Sequence, residues 1–388
     1  MVSIINPKLC IKCKGRLWCG LVKCPVYEKL NMLRENLVVR KEIEAPSPPF
    51  FLVSWRNYPN IATGPYLTFT DPEAYTKPEK AMKMSMDELL KVRASSVRPF
   101  EFRNVREVIE DAALSIRPVE MSAELKRLPK IGLDFNFLGP SAPATRIELE
   151  DEPKVPGKVE HYYESYDIRA EEAVMELEDF GFDYLVQLLS TGSLGVKTQR
   201  KLVPTRWAIT AVDSILAKKY FTEVRGYEPV EEIEVYRAEH WDNNFVIVLL
   251  PWDWAFEVME KWLPGSAWGQ GVITDYEIGE LKRDYASNVT GSYYAARLEI
   301  LKALARRKRK AACIVMREVG PEYYFPVGVW HVRETVKEAM GKKPERFPSW
   351  KEARERVNQL LNSDVKEWEK RSRVLGLVKT QKSLLEFS

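Results

Sequence analysis

The first 24 residues of this chain contain four of its five cysteines, spaced as Cys10-x2-Cys13-x5-Cys19-x4-Cys24. A segment of about fifteen residues cannot enclose a hydrophobic core, so it needs a metal or a cross-link to hold one structure. Four thiolates at this spacing can surround a zinc ion tetrahedrally and leave no ligand position open. We therefore predict an N-terminal knuckle that binds a structural Zn²⁺.

Two other chemistries fit the same cysteines. A cysteine-only site also accepts an iron–sulfur cluster, and oxidised thiols would form disulfides. The N-terminal residues lack the apolar segment of a signal peptide, so we expect the chain to stay in a reducing cytoplasm, where disulfides are rare. The fifth cysteine, Cys313, lies in the apolar run 311–316 and is expected in the core.

The composition is that of a folded protein, with 45% hydrophobic and 30% charged residues. No apolar run is long enough to span a bilayer, so we expect no membrane partner. Helix-like and strand-like segments alternate, which indicates an α+β or α/β fold with a mixed sheet. The predicted parts are a zinc knuckle with the following helix (1–35), an N-terminal α+β part (36–150), a main α/β core (151–373) and a flexible tail (374–388).

Local patterns predict individual elements. Ser85 with Glu88, and Ser349 with Glu352, form capping boxes that open helices. Residues 139–157, rich in Pro, Ala and Glu, are predicted to be a long exposed loop or a domain boundary. Apolar spacing predicts helices and strands in five further ranges: helices over 171–190 and 205–220, and strands over 232–237, 244–250 and 312–319.

Residues 184–212 contain no Asp or Glu, and within them lies the segment 190–206, here called the basic loop. Glycine turns expose backbone N–H groups, and such groups beside cations form a nest for phosphate. The helix predicted after the loop would add the positive end of its dipole. We predict that the loop binds the phosphate of DNA or of a nucleotide through five residues: Lys197, Thr198, Arg200, Lys201 and Arg206.

Three features near this loop and beyond it leave a functional and a structural interpretation open. The basic loop lacks the glycine that precedes the lysine in a P-loop, so it is either a different phosphate site or a solvated surface loop. Six of the eleven tryptophans lie within 207–268, where they could stack on unpaired bases or anchor the core. The five cations of 306–310 could contact DNA or simply favour the end of a helix.

The last residues, Gln381-Lys-Ser-Leu384-Leu-Glu-Phe387-Ser388, resemble the peptide that binds the sliding clamp PCNA, Gln-x-x-aliphatic-x-x-aromatic-aromatic. One helical turn brings Leu384 and Phe387 to the same side, where both can enter one hydrophobic pocket beside the Gln381 amide. Serine stands where a second aromatic residue is usual, which lowers the expected affinity. The structural alternative is a chain end that matches by chance.

Together, the cysteine knuckle, the segment 192–207 and the tail 381–387 resemble the archaeal NreA family of DNA repair proteins, along nearly the whole chain. The segment 192–207 is the most specific part, because it matches no generic motif. The resemblance implies a cytoplasmic archaeal protein of the DNA-damage response that works with PCNA. It implies no reaction and no catalytic residues.

The leading hypothesis is therefore a DNA repair factor that is tethered to PCNA and binds DNA or nucleotide phosphate through the basic loop. A second hypothesis is an enzyme, a nuclease or a nucleotide-processing protein, in which Glu164, Asp167, Asp242 or Asp275 supplies a metal ligand or a base. A third is a pure protein–protein scaffold. Whether the chain catalyses any reaction is left open by its sequence.

Overall fold

The computed structural model of the chain describes residues 38, 40–56, 58, 61–101, 106–129, 139–264, 266, 271–323 and 327–378. The zinc prediction on Cys10, Cys13, Cys19 and Cys24 and the clamp-peptide prediction on 381–388 lie outside these residues. The chain divides into an N-terminal unit that ends at Leu216 and a C-terminal unit that begins at Ala217. Each unit combines helices with a mixed sheet, which confirms the predicted α+β class.

The N-terminal unit contains β1 (Glu42–Ser47), β2 (Leu52–Val53), β3 (Thr63–Gly64), β4 (Leu67–Thr68), β5 (Ser96–Phe100), β6 (Val119–Leu125) and β7 (Ser141–Leu149). Five of these strands form a sheet in the order β1-β6-β7-β5-β4, while β2 pairs with β3. β5 and β7 run parallel, and the other pairs are antiparallel. Residues alternate strictly along β6, and Val119, Met121, Ala123 and Leu125 point into the core.

The helices of this unit are α1 (Glu73–Thr76), α2 (Pro78–Ala81), α3 (Met86–Ala94), α4 (Arg106–Leu114), α5 (Gly157–Glu164), α6 (Ala170–Glu176), α7 (Phe182–Ser190) and the first part of α8 (Thr205–Val224). The predicted capping box opens α3, because Ser85 Oγ accepts from the N–H of Glu88 and the Glu88 carboxylate accepts from Ser85. Ile109, Ala112 and Ala113 of α4 lie in the core with the residues of the sheet.

One local prediction for this unit was wrong, and another was right only in part. Residues 139–157 are not a long loop, since they contain β7, in which Ala142, Ala144 and Ile147 point into the core. Small alternating residues carry this strand, and a composition rich in Pro, Ala and Glu conceals it. The helix predicted over 171–190 is interrupted at Gly181, whose φ of +99° lies outside the helical region and separates α6 from α7.

The boundary between the units lies inside the predicted 151–373 core. Side chains of α7 connect it to α4 across some 70 residues of sequence: the Tyr184 hydroxyl donates to Leu114 O (2.5 Å) and Gln187 Nε2 donates to Ala113 O (2.6 Å). Residues 151–216 therefore fold with the N-terminal unit. The boundary near residue 150 was predicted from local composition, which does not reveal hydrogen bonds between residues that are distant in sequence.

The C-terminal unit contains β8 (Ile233–His240), β9 (Asn243–Leu250), β10 (Ala255–Trp262), β11 (Ile273–Ile278), β12 (Ala312–Val319) and β13 (Glu345–Phe347). They form one sheet in the order β11-β10-β12-β9-β8-β13, in which β10 and β12 run parallel. The predicted strands over 232–237, 244–250 and 312–319 are confirmed. β9 and β12 are buried along their whole length, and Cys313 on β12 is a core residue, as expected.

The helices of this unit are the end of α8, α9 (Gly291–Arg307), α10 (Val329–Gly341), α11 (Trp350–Leu360) and α12 (Val365–Arg371). Ser349 caps α11 as predicted, accepting from the N–H of Glu352. Residues 373–378 are also helical, which corrects the prediction that a flexible tail begins at 374. Val374, Leu375 and Val378 are buried in the core with α11 and α12. In the part of the chain that the structure describes, no helix has the length and apolarity needed to cross a membrane.

Candidate nucleic-acid interface

The basic loop runs from the last residue of α7 to the first turn of α8, where Arg206 lies, and contains a short 3-10 turn, Lys197–Gln199. Two glycines set its shape, Gly192 with φ +80° and Gly195 with φ +107°. A side chain at Gly192 would bring its Cβ within 2.9 Å of Lys201 O, so the two ends of the loop approach each other too closely for any other residue. The glycines therefore hold the loop closed upon itself, as a compact turn.

Thr205, at the start of α8, fastens the loop to the unit. Its Oγ1 accepts from the N–H of Val53 on β2 (2.9 Å) and lies 3.0 Å from Ser190 Oγ at the end of α7. Ser190 in turn donates to Val203 O (2.8 Å). These hydroxyls are buried, so they hold three segments of chain together and are not available to a ligand in solution.

Arg200 has a role different from the phosphate contact that its sequence position predicts. Its guanidinium donates to four backbone carbonyls: Nε to Gly195 (2.7 Å), Nη1 to Tyr163 (2.7 Å), and Nη2 to Tyr162 (3.1 Å) and Ser165 (3.0 Å). Three of these carbonyls lie at the C-terminal end of α5, where the helix lacks its own donors and its dipole favours a cation. Partial burial lowers the pKa of Arg200. The structure thus assigns Arg200 to holding the loop against α5.

The other four predicted residues of the loop, Lys197, Thr198, Lys201 and Arg206, have exposed side chains. Two of these cations lie over aromatic rings. The Lys197 ammonium is 4.5 Å from the centre of the Tyr166 ring, and the Arg206 guanidinium is 5.4 Å from the centre of the Trp55 ring. Each cation is attracted by the negative face of its ring, and both cations remain exposed to solvent.

The rings beneath these cations belong to a set of exposed aromatic residues that the sequence did not reveal as a group. Trp55 is 51% exposed, Tyr58 44%, Tyr166 68% and Trp207 48%. The Tyr58 and Trp207 rings lie 5.3 Å apart at an angle of 53°. We call these four rings, together with Lys197, Lys201 and Arg206, the aromatic–cation surface. Exposed aromatic rings beside cations are typical of surfaces that bind a partner.

Most other tryptophans of the range 207–268 serve the core. Trp254 is buried and donates to Glu277, while Trp252 packs against the core of the C-terminal unit. Trp241 stacks on the buried His331 ring at a centroid distance of 5.3 Å. Among the described tryptophans of this range, Trp207 is the one with about half of its surface exposed, so the base-stacking interpretation remains for it.

Three of the five cations of 306–310 pair with acidic side chains, and one of these pairs, Arg309 with Glu231 at 3.0 Å, lies at the surface. Arg307 pairs with the buried Glu234 at 2.7 Å, and Lys310 pairs with Asp253 at 2.8 Å. The run also covers the C-terminal end of α9, where the helix dipole favours positive charge. These contacts favour the structural interpretation over a DNA contact.

Two of the carboxylates proposed for an enzyme hold backbone N–H groups of the C-terminal unit. Asp275 is buried and accepts from two backbone N–H groups just before α9, and Asp242 accepts from the N–H of Glu322. Glu164 and Asp167 are exposed in the N-terminal unit. Within the described ranges, no three His, Cys, Asp or Glu side chains gather closely enough to hold a metal ion.

Comparison with known sequences covers nearly the whole chain. The family model described as "Archaeal Nre, N-terminal" matches residues 18–269, and that described as "Archaeal Nre, C-terminal" matches residues 277–387. No solved structure matches the chain.

Three similar proteins are DNA repair proteins by name. DNA repair protein NreA of Archaeoglobus fulgidus is 36% identical over 97% of this chain and 98% of its own length. DNA repair protein NreB of the same organism is 34% identical over 97% of this chain and 99% of its own. DNA repair protein NreA of Haloferax volcanii is 33% identical over 75% of this chain and 76% of its own.

Proposed function

Because the chain belongs to the archaeal Nre family, we propose that it acts in DNA repair and binds the phosphate backbone of DNA through the exposed cations of its basic loop. The names of its relatives support the repair role. The observation that carries the DNA contact is the position of Lys197, Lys201 and Arg206, which are exposed on a loop whose backbone is held at both ends.

The fixed frame of the loop matters for affinity. Arg200 and Thr205 hold the loop to α5 and β2, so little backbone conformational entropy remains to be lost when a phosphate binds. Neither residue needs to touch the ligand for this effect. The cations attract the phosphate backbone of DNA whatever its base sequence. This attraction supplies affinity and is weakened by salt.

The DNA contact is tested by the salt dependence of binding. Lys197→Ala/Lys201→Ala should weaken DNA binding and reduce the slope of log K against log salt by about one to two, since each lost phosphate contact contributes about 0.7–0.9. Lys126→Ala/Arg127→Ala removes the same charge from exposed positions at the end of β6 and is the matched control. Equal slopes for the two double variants would contradict a phosphate contact at the basic loop.

We also propose that Cys10, Cys13, Cys19 and Cys24 bind one structural zinc ion. The support is the spacing of four thiolates, which fits a closed tetrahedral site. Metal analysis of the purified protein should find about one zinc per chain, and Cys13→Ser should lose it while both units still unfold cooperatively. Stoichiometric iron and sulfide would contradict this proposal.

The tail is proposed to bind the PCNA clamp through Gln381, Leu384 and Phe387. Supporting this role, the chain is anchored a few residues before Gln381: Glu257 accepts from the N–H groups of Arg373 and Val374. A peptide that follows such an anchor would keep a bound clamp close to the C-terminal unit.

Calorimetry should give about micromolar affinity for the clamp, because a short peptide is ordered on binding. Phe387→Ala should weaken this affinity at least about tenfold, as the loss of a buried aromatic anchor does. Ser388→Ala, at the neighbouring position without a ring, is the control. Equal binding by all three proteins would show that the clamp contact, if any, lies elsewhere.

A further inference from the structure

We infer that the aromatic–cation surface binds single-stranded nucleic acid, with its exposed rings stacking on unpaired bases. This inference rests on the proposed function, because the cations of the same surface would hold the phosphates of the strand. It goes further in naming the form of nucleic acid that the site prefers.

The four rings of this surface are unusually exposed. Tyr166 is 68% exposed although it has one cation, Lys197, over its ring, and Trp207 is 48% exposed although Tyr58 lies against it. An aromatic ring exposed to this extent gives up the burial that normally makes such residues stabilising. Four such rings in one unit, each close to a cation or to another ring, offer flat apolar surface to a ligand that has flat apolar surface of its own.

Two of the rings are paired with positive charges. A nucleic-acid strand offers a base and a phosphate in every repeat, and non-specific single-strand sites combine stacking rings with backbone-binding cations. The pairs Tyr166–Lys197 and Trp55–Arg206 have this composition. A cation on one face of a ring leaves the opposite face for a base.

The cations of the two ring–cation pairs are close along the chain. Lys197 and Arg206 are separated by nine residues, which span at most about 30 Å when fully extended. A stacked strand advances about 3.4 Å per nucleotide, so a strand of about ten nucleotides is long enough to reach both pairs. The distance between the two pairs therefore does not exceed what one short oligonucleotide can span.

Duplex DNA cannot use this surface fully. The bases of a duplex stack on each other, so their faces are closed to protein rings and only the backbone remains to be held by cations. The aromatic rings should therefore raise affinity for single strands without affecting duplex. A strand without bases should behave like the duplex in this respect, since it retains phosphates and lacks rings to stack.

The test measures the affinity of the full-length protein for three labelled ligands by fluorescence anisotropy: a single strand of about twelve nucleotides, its duplex, and an abasic strand of the same length. Tyr166→Leu and Trp207→Leu should each weaken single-strand binding at least about fivefold and change the other two affinities less than about twofold. Trp207→Phe should restore most of the loss. Tyr276→Leu, at another exposed ring on β11, is the matched control.

The outcomes separate this inference from the proposed function. The stacking inference is overturned if the ring variants bind the single strand with the affinity of the unaltered protein. It is also overturned if they lose affinity for all three ligands equally. Lys197→Ala/Lys201→Ala would still lower the affinity for all three ligands if the phosphate contact is real. No binding of the single strand by the unaltered protein overturns the stacking inference directly, whatever the variants do. Thermal unfolding of each variant excludes loss of fold as the cause of a change.

Discussion

Arg200→Ala should destabilise the N-terminal unit far more than it weakens nucleic-acid binding. The guanidinium connects the basic loop to the end of α5 through hydrogen bonds to four carbonyl oxygens, those of Gly195, Tyr162, Tyr163 and Ser165. Alanine removes every one of these donors and leaves the last carbonyls of α5 to be satisfied by water alone.

The size of the effect follows from the number and kind of these bonds. A hydrogen bond to a charged group contributes about 1.5–3 kcal/mol, so four independent bonds would contribute roughly 6–12 kcal/mol. They share one side chain, however, and Arg200 is only partly buried, so water replaces part of what is lost. We expect a loss of about 2–4 kcal/mol in the free energy of unfolding, which lowers the melting temperature of a unit of this size by roughly 5–15 °C.

Urea unfolding measured by circular dichroism, together with thermal unfolding, checks this expectation. Arg200→Lys is the control that keeps the charge: a lysine has one donor group in place of the planar fork, so it should recover only part of the stability. A loss of less than about 0.5 kcal/mol in Arg200→Ala, combined with a salt slope for DNA binding that falls by about one, would refute the structural role and return Arg200 to the phosphate contact.

Three further variants test the loop and the C-terminal core. Gly192→Ala should lower the stability of the N-terminal unit by about 1–3 kcal/mol in urea unfolding, because φ is +80° there and the new Cβ would lie 2.9 Å from Lys201 O. Thr205→Val, compared with Thr205→Ser, should cost about 1–3 kcal/mol in the same assay, because it leaves the buried N–H of Val53 without an acceptor. Burial lowers the pKa of His331 well below 6.5, so below that pH the unfolded chain takes up a proton that the folded one does not. Stability should then fall by up to about 1.4 kcal/mol per pH unit below 6.5, and urea unfolding of His331→Phe at pH 5 and pH 7 should show a shallower dependence.

The fold class and several elements could be predicted because their signals are local. The apolar runs of β9 and β12 predict buried strands whatever elements they pack against. Ser85 and Glu88 form a helix cap within four consecutive residues. The charge of the basic loop is likewise a property of consecutive residues. Composition was misleading at β7, because two of the residues that the strand buries, Ala142 and Ala144, add little to the hydrophobic content of the segment.

The sequence by itself determined that the basic loop is cationic and glycine-rich, but only the tertiary structure decided which of its cations face solvent. Arg200 and Lys201 are neighbours in sequence, yet one is bonded to the end of α5 and the other is exposed. Trp55 and Arg206 meet because Thr205 binds Val53, a contact across about 150 residues that has no local pattern. Local patterns report how a residue relates to its chain neighbours. The function of a surface depends on residues that packing brings together from distant parts of the chain.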